Sequence, residues 1–175
     1  MNNTIRITSG KFRGRKISTP GGKTHPMGER ERLALFNMIS AYIPGAVVLD
    51  AFAGSGALGI ETLSRGAKNV VFIDNCRAAT NVINANLKEL DLESLAKVIS
   101  GDVDSITRAG NFDIIMADPP YDNFEVNKVQ YLAQFLNEDG VFVLSHPGEA
   151  PDLQGLLLQN SRKYANATIS IYRKA

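Results

Sequence analysis

The sequence predicts an α/β protein: a Rossmann-like, mostly parallel seven-stranded sheet with helices on both faces. A C-terminal antiparallel hairpin closes it, and a small N-terminal β-hairpin precedes it. Three observations carry that prediction. Short apolar runs recur between helical patterns: VVLD (47–50), VVFID (70–74), KVIS (97–100), FDIIMA (112–117) and VFVLS (141–145). These runs are continuous rather than alternating, as in strands buried on both faces. A glycine-rich turn, DAFAGSGALG (50–59), leaves the first of them and opens a helix.

The elements follow in order. Ile5 and Ile7, a turn through SGKFRG and then Ile17 read as a hairpin. The Gly/Pro-rich link TPGGKTHPMG leads to ERERLALFNMISAYI, where Leu33, Phe36, Ile39 and Ile43 recur at helical spacing and Pro44-Gly45 stops the helix. Residues 1–28 therefore form a basic hairpin extension and residues 29–175 the main domain. After VVLD a helix runs through about Ser64, ended by Gly66. VVFID is followed by a helix carrying Val82, Ile83, Leu87 and Leu90, and KVIS by a short helix after GDVDS. A helix with Val126, Val129, Ala133 and Leu136 follows FDIIMA. Residues 151–160 read as irregular or weakly helical, and ATISIYR alternates as a half-exposed strand should.

Composition narrows the function classes. A chain of 175 residues, 44% hydrophobic and 21% charged, has ordinary globular chemistry. No apolar run approaches the ~20 residues that span a bilayer, and MNNTIRITSGKFRGRK lacks the apolar core of a signal peptide. Cys76 is the single cysteine, so no internal disulfide is expected and a reducing cytoplasm is the default compartment. One Cys and two His make a poor zinc ligand set, and no metal is expected. The net charge of +1 hides an asymmetry: residues 1–28 carry six basic residues and no acid. Lys11, Arg13, Arg15 and Lys16 sit within the hairpin pattern, as an ordered basic ribbon suited to RNA phosphates.

Acids close successive strands. Gly54, Gly56 and Gly59 match G-x-G-x-x-G; the first two permit a tight turn and close backbone approach, the third lets helix and strand pack. Asp74 ends the next strand, where a carboxylate accepts ribose hydroxyls, a role shared by NAD enzymes. Asp50 precedes the glycines, where it suits a cationic ligand such as a sulfonium amino acid and would crowd a pyrophosphate. Bulky Phe52 also fits a dinucleotide turn poorly. Asp102 and Val103 follow the third strand, positioned to accept an adenine amine and cover its face. All lie on the carboxyl edge of the sheet.

The most specific signal is Asp118-Pro119-Pro120-Tyr121. Pro119 and Pro120 hold the backbone extended beyond the strand and donate no hydrogen bond. What remains is a pair of acceptors, the Asp118 carboxylate and the Pro119 carbonyl, matched to the two protons of a planar exocyclic amine. Tyr121 offers a ring on which the base stacks, and a base reached this way is unpaired or flipped out.

DAFAGSGALG, FID, GD and DPPY in this order resemble the class I, S-adenosylmethionine-dependent amino methyltransferases. RITSGKFRGRKISTP, followed by THPMGERERLALFN, is similar more narrowly to the RsmD family, which methylates the N2 amine of a guanine in bacterial 16S rRNA. The resemblance runs from about residue 5 to residue 145. It implies S-adenosylmethionine as methyl donor and S-adenosylhomocysteine as product. It implies that Asp50, Phe52, Gly54 and Gly56, with Ala53 and Ser55 between them, surround the methionine part. Asp74, with Asn75 beside it, takes the ribose, and Asp102 and Val103 take the adenine. Asp118, next to the cofactor, holds the guanine with Pro119, Pro120 and Tyr121.

The chain departs from the family at His25-Pro26-Met27, where Arg-Pro-Thr is usual, so His25 stands in for an arginine at the methionine carboxylate. Asp74 stands where related chains often carry Glu, and His146 reads as a loop residue rather than a general base. The implied partner is 16S rRNA or the assembling small ribosomal subunit, without membrane or metal, and the expected state is a monomer. Three other readings share some of these signals. A DNA amino methyltransferase acting on adenine N6 or cytosine N4 carries the same four-residue motif but normally has an added target-recognition region. A dinucleotide-binding oxidoreductase has no use for DPPY. A non-catalytic RNA-binding protein on the same scaffold is the third.

Overall fold

The computed structural model describes residues 4–21, 27–106, 111–165 and 167–175. The chain opens on a hairpin of β1 (Thr4–Arg6) and β2 (Lys16–Ser18), with Ile5 opposite Ile17. Helix α1 (Glu29–Ile39) follows, extended by a 3₁₀ turn over Ser40–Tyr42. The central elements are β3 (Val47–Ala51), α2 (Ala57–Ser64), β4 (Asn69–Asp74), α3 (Arg77–Glu89) and β5 (Ala96–Ser100). Then come β6 (Phe112–Ala117), α4 (Val126–Ala133), β7 (Leu136–His146), β8 (Leu156–Lys163) and β9 (Thr168–Lys174).

The seven-stranded sheet has the order β5-β4-β3-β6-β7-β9-β8. Strands β3 to β7 pair in parallel, and β9 is antiparallel to both of its neighbours. The chain winds outward from β3 through β4 to β5, then returns to place β6 on the other side of β3. That reversal leaves a crevice at the carboxyl ends of β3 and β6, the position where sheets of this kind bind ligands.

Side-chain alternation divides the core between the two faces. Val48, Phe72, Ile114 and Val143 join Phe36, Ile60 and Ile83 from α1, α2 and α3. Leu49, Ile73, Ile115 and Phe142 join Val129 and Leu132 from α4. Ile5, Ile7 and Ile17 of the hairpin are buried in the first of these clusters.

The hairpin is fastened to α2 by more than apolar contact. Glu61, 1% exposed, accepts the N–H of Thr8 at 2.8 Å, the Thr8 hydroxyl at 2.7 Å and the N–H of Ser9 at 2.9 Å, and pairs with Arg65 at 3.0 Å. Gly10, at φ +79°, lies so close to Ser64 that an added Cβ would be 1.8 Å from its carbonyl oxygen. On α3, the Asn86 amide accepts Ser18 N–H at 2.8 Å and donates to Ser18 O at 2.9 Å.

Several expectations are corrected. Leu33 is 44% exposed, and the buried face of α1 is Arg32, Leu35, Phe36 and Ile39. Leu136 does not end a helix; it opens β7 and pairs with Phe112. From Leu156 on, the segment expected to be irregular is an edge strand, β8, most of whose residues face solvent. Strand β9 is buried rather than half-exposed, because β8 places it in the interior of the sheet. His146 is not a loop residue but the buried end of β7, with its Nε2 2.8 Å from the Ser170 hydroxyl. Val103–Ser105 form a 3₁₀ turn, and the short helix expected after GDVDS falls on residues 107–110, outside the described residues. Among the described residues no helix is long and apolar enough to cross a membrane.

Candidate functional site

The crevice between β3 and β6 is a cleft of about 1120 Å³. Its floor is the turn after β3. Phe52 leaves the strand at φ 61°, a left-handed conformation rare for an aromatic residue, and lines the cleft with Ala53, Gly54 and Ser55. Gly54, at φ +56°, has open space where a Cβ would be, so conformation rather than crowding calls for glycine there. Gly56 caps α2 at φ +77° and packs on Ile83 and Phe72; it does not line the cleft. At Gly59 a Cβ would fall 2.3 Å from the Phe72 ring, so this glycine serves helix–strand packing.

The acids at the strand ends converge on this floor. Asp50, 1% exposed, accepts the Gly59 N–H at 2.8 Å. Burial holds its carboxyl well above the usual range; the Gly59 N–H opposes that shift, and the charges of Asp118 and Asp74 add to it. Asp74 accepts the N–H of Gly54 and the N–H of Cys76, each at 2.8 Å. Its carboxylate therefore ties the glycine turn to the start of α3, and Asn75 lines the cleft beside it. Asp102 and Val103 line the far side. One oxygen of Asp102 pairs with Lys128 at 3.0 Å, and the backbone N–H groups of Asp104 and Val103 also bear on the carboxylate. The Lys128 hydrogen bond holds the Asp102 carboxyl below its ordinary value.

Asp118 emerges from β6 facing Asp50 across the switch point; its N–H approaches the Ala51 carbonyl at 3.5 Å. Burial raises its carboxyl, opposed by the Ser145 and Tyr121 hydroxyls. Pro119 is buried and Pro120 exposed, and both line the cleft. The Pro120 carbonyl accepts Asn123 N–H at 3.3 Å, and no hydrogen bond among the described residues uses the Pro119 carbonyl. Tyr121 is half-buried, its hydroxyl turned inward 3.4 Å from Asp118 Oδ1 and hydrogen-bonded to Ser145. Its phenol is pushed up to about 12, chiefly by burial, and so remains a donor.

His25 lies outside the described residues. Lys11, Arg13, Arg15 and Lys16 are exposed on the hairpin, away from the cleft walls; Arg15 approaches Glu89 at 4.0 Å. The strand leaving this hairpin runs directly into the cleft, where Thr19 and Pro20 form part of its lining.

Sequence reasoning missed four participants. Glu31 lines the cleft and caps α1 by accepting Gly28 N–H at 2.9 Å. Arg32 is 3% exposed and donates to the carbonyls of Met27 and Arg6 at 2.9 and 2.8 Å. Lys128 holds both Asp102 and Glu125, and Ser145 meets Tyr121. A glutamate three residues after the helix-opening Gly28 was a usable signal for Glu31. Nothing in the local sequence relates Lys128 to Asp102, or Ser145 to Tyr121. Among the described residues the cleft is thus lined by several carboxylates, and the two cations there, Arg32 and Lys128, are already engaged. Such a cleft favours a cationic ligand over a phosphate-bearing one.

Comparisons with known proteins find relatives along nearly the whole chain. The family described as Conserved hypothetical protein 95 matches residues 5–173. YlbH of Bacillus subtilis (strain 168), described provisionally as an rRNA methyltransferase, is 35% identical over 97% of this chain and 99% of the relative. Ribosomal RNA small subunit methyltransferase D of Haemophilus influenzae is 38% identical over 67% of this chain and 64% of its own length. The chain so spans just under two thirds of that relative. Among solved structures, yhhF from Escherichia coli, provisionally a methyltransferase, superposes with a TM-score of 0.89 at 29% identity, covering 98% of each chain.

Proposed function

This chain belongs to the Conserved hypothetical protein 95 family, the RsmD family that its motifs resemble, and from that membership we propose that it methylates rRNA. More finely, it transfers a methyl group from S-adenosylmethionine to the exocyclic N2 amine of a guanine in 16S rRNA. The observation that carries the reading is the convergence of Asp118-Pro119-Pro120-Tyr121 with Asp50, Asp74 and Asp102 in one cleft.

The residues fit the cofactor. Asp102 lines the cleft as a carboxylate acceptor suited to the adenine amine, with Val103 against the ring. Asp74, held by Gly54 and Cys76, keeps free lone pairs for ribose hydroxyls. Asp50 suits the cationic methionine end, where a positive charge would favour its ionised form. When bound, S-adenosylmethionine supplies a methyl carbon to the attacking nitrogen and leaves with the C–S electron pair on sulfur.

The chain's own groups act on the amine. Its lone pair is delocalised into the ring, so it is a weak nucleophile. Hydrogen bonds to Asp118 and the Pro119 carbonyl would favour tetrahedral character at nitrogen, and fixed positioning supplies much of the remaining acceleration. The raised proton affinity of Asp118 suits it to receive the amine proton. The basic hairpin of residues 1–28 would neutralise RNA phosphates, with Thr19 and Pro20 continuing its strand toward the target base. Cytoplasmic location follows from that substrate.

The test is to map modified nucleotides in rRNA from cells with and without the gene. Loss of one N2-methylguanine in the small-subunit rRNA is expected. An unchanged rRNA, or a missing methyladenine in DNA, would overturn the reading. In vitro, Asp118→Ala should reduce methyl transfer at least about 100-fold while leaving S-adenosylhomocysteine affinity nearly unchanged.

A further inference from the structure

We propose that Ser145 is a positioning residue for methyl transfer, holding the Asp118 carboxylate in its working orientation together with the Tyr121 phenol. The proposal rests on the reading of the site given above. Asp118 and Tyr121 belong to the segment that leaves β6 and Ser145 to β7, and only the sheet brings the two together. In the parallel pairing of β6 with β7, Ala117 lies opposite Leu144, which sets the next residues, Asp118 and Ser145, side by side. The Tyr121 hydroxyl donates to Asp118 Oδ1 at 3.4 Å and is hydrogen-bonded to the Ser145 hydroxyl, so Ser145 acts on the carboxylate through the phenol.

Ser145 is 1% exposed and follows the apolar run Val141–Leu144 of β7. A hydroxyl in such a place is tolerated when its hydrogen bonds are made, and here they are made to the motif. The Asp-Pro-Pro-Tyr stretch read alone makes Tyr121 a stacking surface. The structure gives its hydroxyl a second task, since the ring cannot swing away without breaking contacts to both Asp118 and Ser145.

The consequence for chemistry concerns charge as well as direction. Burial favours the neutral carboxyl at Asp118, whereas the Ser145 and Tyr121 hydroxyls favour the carboxylate that a reacting amine needs. Because the phenol remains protonated, it donates throughout the working pH range. Removing Ser145 loosens the phenol that donates to Asp118, so Asp118 should titrate at higher pH and sample more orientations.

The experiment compares wild type, Ser145→Ala and Ser145→Thr in rRNA methylation across the acidic and neutral range. Ser145→Ala should lower kcat about tenfold, the effect of one hydrogen bond to a charged group. The KM for S-adenosylmethionine should be unchanged, and the acidic limb of the kcat profile should move to higher pH. Ser145→Thr keeps the hydroxyl and should return both kcat and the limb toward wild type. A Ser145→Ala enzyme with wild-type kcat and limb would overturn the proposal, as would a kcat loss that leaves the limb in place or that Thr does not rescue. Should Ser145→Ala fail to fold, Ser145→Cys preserves volume while weakening the donor and is judged by the same criteria. If wild type methylates no rRNA amine, the parent reading fails first, and that failure is seen before any variant is compared.

Discussion

Asp50 Oδ2 accepts the backbone N–H of Gly59 at 2.8 Å, so the acid next to the end of β3 is bound into the first turn of α2. This one bond makes the strand, the glycine turn and the helix a single unit. It also keeps a carboxylate beneath the cleft floor that burial alone would disfavour.

Asp50 should therefore trade stability for binding. Its folded-state pKa is raised, so above its unfolded value the folded state holds a proton that the unfolded chain has released. Stability from this group falls as pH rises toward the folded pKa. Asp50→Asn keeps an acceptor for Gly59 without the charge. Thermal melts without ligand should show the variant more stable than wild type at alkaline pH, the gap closing as pH falls. Affinity for S-adenosylmethionine should drop about tenfold or more, read by calorimetry.

Gly59 tests packing apart from binding. A Cβ there would lie 2.3 Å from Phe72 Cε1 and 2.9 Å from Val70 Cγ1. Gly59→Ala should destabilise the fold by about 1–3 kcal/mol through overpacking. For a chain of this length that lowers the melting temperature by roughly 2–12 °C. A melting temperature equal to wild type would contradict the assigned packing role.

Glu61 anchors the hairpin. Glu61→Ala would leave the Thr8 N–H, the Thr8 hydroxyl and the Ser9 N–H without their acceptor and Arg65 without its partner. A loss of about 3–5 kcal/mol is expected. Hydrogen exchange should speed up in residues 5–18 more than in β3 or β6. Uniform acceleration across the sheet would mean that the hairpin and the main core open together.

Neutralising Arg13, Arg15 and Lys16 should weaken RNA binding and flatten its salt dependence, the slope falling by about one for each RNA phosphate left without its cation. Cofactor affinity should stay unchanged, since none of the three lines the cleft. Filter binding at several salt concentrations, beside calorimetry with S-adenosylhomocysteine, separates the two effects.

The strands and most helices were legible because burial on both faces leaves continuous apolar runs, as in VVFID and FDIIMA. Where a tertiary neighbour altered burial, local pattern misled. The alternating ATISIYR reads as half-exposed, yet β8 covers its far edge and β9 is interior. Leu33 fits a helical stripe, yet the surface that α1 packs on selects Arg32, Leu35 and Phe36 instead. Arg32 could not be expected in a core from its type; the carbonyls of Met27, just before its helix, and of Arg6 on the hairpin make its burial tolerable.

By itself the sequence determined the order of elements, the glycine turn that lets backbone approach a ligand, the acids at strand ends and the stiff Asp-Pro-Pro-Tyr segment. Each of these is encoded within a few adjacent residues, by periodicity, by missing Cβ atoms or by proline geometry. The tertiary structure alone decided that Lys128 meets Asp102, that Ser145 meets Tyr121 and that Glu61 fastens the hairpin to α2. Those partners lie 26, 24 and 53 residues apart in the chain, where no local pattern relates them. They become neighbours only once the parallel sheet has fixed which strand ends and helices lie side by side.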